Sequence, residues 1–150
     1  MKRVCLLIFS TALVLSFFSC ERKEKDQNLK KEQFEISHID ILSFTEPLHP
    51  GSDTMVKADI YLVKGFEDTK EMRAKIEDFV QQNKGNNPDN FFQYDMGFYK
   101  QSDQTTISNI EKNPRLIDRY SQQHDLIYSF SWSKGKLVSK MKFKDGEVID

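Results

Sequence analysis

Cysteine is nearly absent. The chain's two, Cys5 and Cys20, both fall within the first twenty of its 150 residues. Beyond Cys20 there is no thiol, which excludes an intradomain disulfide, a cysteine nucleophile and a thiolate metal site. Histidine is scarce as well: His38, His49 and His124 are the complete set, and none stands in an HxxxH or comparable ligand spacing. The six glycines are isolated, so no Gly-rich phosphate cradle exists. Asp53, Asp59, Asp68, Asp89, Asp95 and Asp103 are scattered and do not alternate as in a calcium loop. Charge of neither sign dominates, with 22 basic against 23 acidic residues, whereas a nucleic-acid footprint needs a strong basic excess. The expectation is a chain with no metal, no cofactor and no nucleic-acid partner.

The one long apolar run comes first. Lys2 and Arg3 precede Val4 to Phe18, interrupted only by small hydroxyls, and the run stops at Ser19-Cys20. A spanning helix needs roughly 20 apolar residues, and this run is about fifteen. It has the three regions of a secretory signal in order. The small residue followed by Cys resembles the lipobox of bacterial lipoproteins. That family usually has Leu and a small residue where this chain has Phe17 and Phe18, and such looser boxes are similar to those of Bacteroidota lipoproteins. The resemblance covers Met1 to Cys20 alone. It implies removal of residues 1–19, acylation of Cys20 with palmitate-like chains, and a protein tethered to a membrane without crossing it. Stable anchoring takes more than one acyl chain, which a multiply acylated Cys20 supplies. The implied location is the bacterial cell envelope, at the outer membrane, on its periplasmic face or at the cell surface.

Glu21 to Gln33 (ERKEKDQNLKKEQ) holds nine charges and one apolar residue, Leu29. It cannot bury enough surface to order itself, so residues 20–33 read as a lipidated Cys and charged tether. Residues 34–150 then form one domain, large enough for a real core. Loss of Lys2 and Arg3 with the signal leaves the mature chain slightly more acidic. Twelve Phe, five Tyr and one Trp supply that core generously.

Within the domain, Gln33 to Phe44 shifts its apolar phase near His38, which predicts a bulged strand. Thr45 to Asp53, with two Pro and a Gly, reads as a loop. Met55 to Val63 alternates, placing Val56, Ala58, Ile60 and Leu62 on the dry face and Lys57, Asp59 and Tyr61 opposite. Met72, Ile76, Phe79 and Val80 make one helical stripe across Glu67 to Lys84. Asp68 and Glu71 resemble a capping box there, and Gly85 is placed to close the helix. Gly85 to Asn90 breaks the chain, and Phe92, Tyr94, Met96 and Phe98 alternate in a third strand. Asn113-Pro114 opens a short helix to about Gln122, with Asn as N-cap and Pro at the first position.

Two last strands flank Lys134-Gly135. If those two residues form the hairpin loop, Trp132 meets Leu137, Phe130 meets Ser139, Tyr128 meets Met141 and Leu126 meets Phe143, all on the apolar face. The wet face then carries Lys136, Lys140, Lys142 and Lys144, a stripe that could meet an acidic partner or an anionic surface but is more simply read as a solvated edge that discourages strand pairing. Val148 and Ile149 add a short terminal strand. The order β-β-α-β-α-β-β predicts an α+β fold: a mostly antiparallel sheet of about five strands with a helix packed on one face.

Candidate chemistry is sparse. His38 and Asp40 share a strand face, as in a catalytic dyad, yet no nucleophile elbow accompanies them. His124 with Asp118 or Asp103 lacks metal-ligand spacing. The favoured reading is a non-enzymatic envelope lipoprotein that binds a protein or small ligand. The alternatives are an immunity or inhibitor lipoprotein and a small envelope enzyme with an open sheet cup, using His38, Asp40 or Tyr94.

Overall fold

In the computed structural model, residues 33–117 and 125–149 are described. The signal-like segment, Cys20, the tether to position 32, Asp118 and His124 lie outside the described residues. Seven strands make one sheet: β1 (Glu35–His38), β2 (Phe44–Pro47), β3 (Met55–Lys64), β4 (Gln93–Lys100), β5 (Leu126–Ser133), β6 (Lys136–Lys144) and β7 (Glu147–Ile149). Strands β3 to β7 lie side by side in chain order, while β1 and β2 both pair with the outer edge of β3. All pairings are antiparallel except β3 with β4. A parallel pair needs a crossover, and helix α1 (Lys70–Asn83) provides it. The fold is therefore α+β with a mostly antiparallel sheet, but it has seven strands where five were expected.

The extra strands come from the N-terminal segment and the C-terminus. In place of one bulged strand, the chain makes β1, a 3-10 turn at Asp40–Leu42, and β2. The supposed loop from Thr45 thus begins inside β2, and Pro47, which cannot donate to a ladder, sits at its end on the sheet's edge. β7 forms as expected.

Helix α1 starts later than its acidic residues suggested. Thr69 is the N-cap, accepting the Met72 N–H at 3.2 Å, because Asp68 is turned toward Arg73. A single helical turn, α2 (Asn87–Asn90), follows with Pro88 in its first turn. The connection from β4 to β5 contains α3 (Ile107–Lys112), capped by Thr106, which the sequence pattern did not reveal. Asn113 accepts the Arg115 N–H at 3.3 Å, but Pro114–Ile117 is a 3-10 turn, and the rest of that expected helix lies outside the described residues.

One sheet face carries the main core. Ile76 and Val80 of α1 press on Tyr61, Val63, Tyr94, Met96, Phe98, Tyr128, Phe130 and Trp132. The β3 residues here are those expected on the wet face, Tyr61 with Lys57 and Asp59, because parallel pairing sets Lys57, Asp59 and Tyr61 beside Tyr94, Met96 and Phe98. On the opposite face, the described residues form a second cluster at one end, where Ile39, Leu62 and Ile110 pack with Leu42, Ile60, Tyr99, Leu116 and Ile117.

The last hairpin turns at Lys134-Gly135, both with positive φ (48° and 78°), the requirement of a type I′ turn. Asp145-Gly146 repeats it at 52° and 85°. Trp132 meets Leu137 as expected, but a bulge follows, and Phe130 then faces Lys140, Ser129 faces Met141 and Tyr128 faces Lys142. One inserted residue flips every later side chain. Lys140, Lys142 and Lys144 therefore project on the helix side, and Lys136, opposite Ser133, on the other. The expected single lysine face is divided.

Candidate functional site

Three polar assemblies stand out, and their geometries separate structural roles from binding. The first joins the edge strands to β3. Asp59, 6% exposed, accepts the Tyr94 hydroxyl at 2.8 Å and lies 3.2 Å from Lys57 Nζ and 3.4 Å from His38 Nε2. Burial, then the nearby Asp59 charge, pushes the Tyr61 phenol up to about 12. Burial raises Tyr94 further, aided by its bond to Asp59. Both phenols stay neutral, and Tyr94 is the one that donates, to Asp59.

His38 and Asp40 do come together, with Nδ1 2.8 Å from Oδ1, and Ser43 Oγ stands 2.9 Å from His38 Nε2. The connectivity is that of a Ser-His-Asp triad, yet the hydroxyl is already committed. Ser43 Oγ donates to Ile39 O at 2.9 Å and accepts the Ile60 N–H at 3.0 Å. Ile39 O therefore competes with Nε2 for the single hydroxyl proton, and the Ile60 N–H occupies a lone pair, so the hydroxyl is tied into the strand junction instead of standing free as a nucleophile. Ser43 substitutes for the ladder carbonyl missing where β1 breaks off and β2 begins. Ser43→Ala strands the Ile60 N–H and is expected to lower stability by about 1–3 kcal/mol, read as a shift of the denaturant midpoint; a shift below about 0.5 kcal/mol would show that water replaces the hydroxyl.

The second assembly ties α1 to the last hairpin. Arg73 donates to Asp68, to Phe143 O at 2.9 Å and to Ile127 O at 3.5 Å. Glu77 accepts from the Tyr128 hydroxyl at 2.7 Å and from Lys140. Lys144 Nζ is 4.0 Å from Asp68. Two of the four lysines singled out in the sequence thus face acidic side chains of this seam. A cavity of about 230 Å³ opens beside it, between Phe66, Arg73, Lys100, Asp125 and Phe143, but every charged nitrogen of Arg73 is engaged inside the protein.

The third is a groove of about 330 Å³ on the half-open sheet face. Its floor is built from short side chains in neighbouring strands: Ala58, Asp95 and Ser131 stand in one row, Gly97 and Ser129 in the next. Its walls are apolar, from Leu42, Phe44, Ile60, Tyr99, Ile117 and Leu126. Gly97 keeps the floor low, because a Cβ there would lie 3.2 Å from Ile60 Cδ1 and 3.3 Å from Tyr99 Cε2. Asp95 Oδ2 accepts from Gln93 Nε2 at 2.7 Å. Its Oδ1 is buried without a hydrogen-bond partner among the described residues.

The sequence reading missed this groove. Asp95 passed as one of several scattered aspartates, although the alternation that put Tyr94, Met96 and Phe98 inward sets Asp95 and Gly97 outward beside Ser129 and Ser131. Among the described residues no group of three His, Cys, Asp or Glu is placed to hold a metal ion, and no helix is long and apolar enough to cross a membrane. No protein-family model matches the chain, and no curated protein or solved structure matches it.

Proposed function

We propose that this chain is an envelope lipoprotein, anchored through Cys20, whose domain binds a ligand on the half-open face of its sheet without transforming it. The groove is the observation that carries this reading. The helix-side face is filled by the protein's own aromatics, while the opposite face keeps a cavity at the lower end of the size range of small-molecule sites, with apolar walls and a few polar groups. Binding is favoured over turnover because the serine of the only serine–histidine pair among the described residues is also engaged by the Ile39 carbonyl and the Ile60 N–H of the backbone. The lipobox-like segment supports the anchor, and the charge-rich stretch after it supports a stand-off from the lipid.

The test is metabolic labelling of the full-length chain in a bacterial host with a clickable palmitate analogue, followed by fractionation. The expected result is a labelled chain in the membrane fraction and an unlabelled Cys20→Ala chain in the soluble periplasmic fraction. A wild-type chain cleaved without label would overturn the anchor.

A further inference from the structure

We infer that the groove takes a small organic amine: a protonated nitrogen beside Asp95 and an apolar body of roughly two rings against the walls. This deepens the binding reading above and rests on it. Asp95 lines the groove, yet it pairs with no Lys, Arg or His among the described residues. Its neighbour Asp59 on the adjoining strand shows the contrast, with both Lys57 and His38 within 3.4 Å.

For Asp95 only the Gln93 amide is at hand, and Oδ1 has no donor. Taking a carboxylate partly out of water without a counter-charge is unfavourable, and the low local dielectric that makes it so strengthens the pull on an entering cation. Asp95 lines the groove between two short side chains, Ala58 and Ser131, so nothing long stands beside it in its row. Ser129 and Ser131 add hydroxyls that accept further N–H bonds.

An anion would meet the carboxylate directly, and a bare metal ion would find one carboxylate and no second acidic or imidazole ligand among the described residues of the lining. Size sets the body: a cavity of about 150 Å³ holds benzene, so about 330 Å³ accommodates a bicyclic arylalkylamine.

The test uses the full chain carrying Cys20→Ala, so that no acyl chain competes for the groove, and follows backbone amide shifts during titration with tryptamine, 3-ethylindole and indole-3-propionate. Shifts are expected at Ala58, Gly97, Ser129 and Ser131. Tryptamine should bind at least tenfold tighter than the neutral indole, and the propionate weakest. Asp95→Asn should bring tryptamine down to the level of 3-ethylindole while leaving the latter unchanged. Gly97→Ala, which raises the floor, should weaken both.

Equal binding of amine and neutral indole would overturn the amine assignment and leave the groove as a ligand site. Shifts absent from those four residues with every probe would overturn the assignment and the groove together. Should Asp95→Asn lose its folded spectrum, the ranking of the three probes on the unaltered groove decides alone.

Discussion

Phe98→Ala is expected to lower stability by about 3–5 kcal/mol, the range for truncating a buried aromatic in a core that cannot collapse around the gap. Phe98 is fully buried in β4. Its ring stacks on Tyr61 at 5.0 Å and meets Phe79 and Phe130 edge-on at 6.0 and 5.9 Å. Those neighbours come from β3, α1 and β5, so one side chain fastens the parallel crossover to the antiparallel half of the sheet. Each aromatic pair adds about 0.5–1.5 kcal/mol beyond area burial, which places the loss toward the upper end of the range. Against a typical total of about 5–15 kcal/mol, the variant should unfold at a much lower denaturant midpoint with unchanged slope. Ile41→Ala, at a residue 52% exposed, should stay within about 0.5 kcal/mol of wild type. A Phe98→Ala loss below about 2 kcal/mol would mean that the surrounding rings close the gap.

The alternation that exposes Phe98 as core in the sequence also shows where sequence reading stops. Helix α1 was legible because Met72, Ile76 and Val80 recur at helical spacing and are buried as that spacing requires. The hairpin turn was legible because Lys134-Gly135 must supply two positive φ angles. The register beyond it was not, since a bulge next to Trp132 leaves no composition signal and yet moves Lys140 and Lys142 from one face to the other.

The alternation of β3 held, with Ala58 and Leu62 buried, but the burial of its second face was missed for a related reason. Lys57, Asp59 and Tyr61 look solvent-facing until Tyr94 and His38, both distant in sequence from Asp59, satisfy its carboxylate. Ser43 carried no signal at all, since its role depends on the break between β1 and β2. The groove was half legible: the outward row of β4 and β5 is polar and small on inspection, but only the fold sets Leu42, Phe44 and Ile117 around it.

Arg73→Met is the second large effect, expected at about 2–4 kcal/mol from the lost charged hydrogen bonds and the carbonyl left unpaired. Arg73 is 9% exposed, and its guanidinium also lies over the Phe66 and Tyr128 rings at 5.7 and 5.4 Å. Methionine retains length and apolar contact but leaves the Phe143 carbonyl without its donor and Asp68 with only the more distant Lys144 as a cation. Lysine recovers only part of this, because a single ammonium cannot fork between a carboxylate and two carbonyls.

The pH dependence separates the pair from the packing. The Arg73 hydrogen bond holds Asp68 below the usual carboxylate range against partial desolvation. Burial pushes Glu77 the other way, but the bonds from Lys140 and Tyr128 prevail and lower it. A carboxyl whose folded pKa is depressed adds stability above its unfolded value and loses it as pH falls toward the folded one. Wild-type stability should therefore decline as pH drops below about 4.5. In Arg73→Met the Asp68 share of that decline shrinks to what Lys144 supplies, and the Glu77 share remains. With the Asp68 side chain 32% exposed, solvent screening keeps its share small, so the change is a shallower acid limb and not its loss. Denaturant midpoints from pH 7 to pH 3 on both proteins decide it: parallel acid limbs would remove the Asp68–Arg73 pair as a source of pH dependence and leave Arg73 as a packing and carbonyl-capping residue alone.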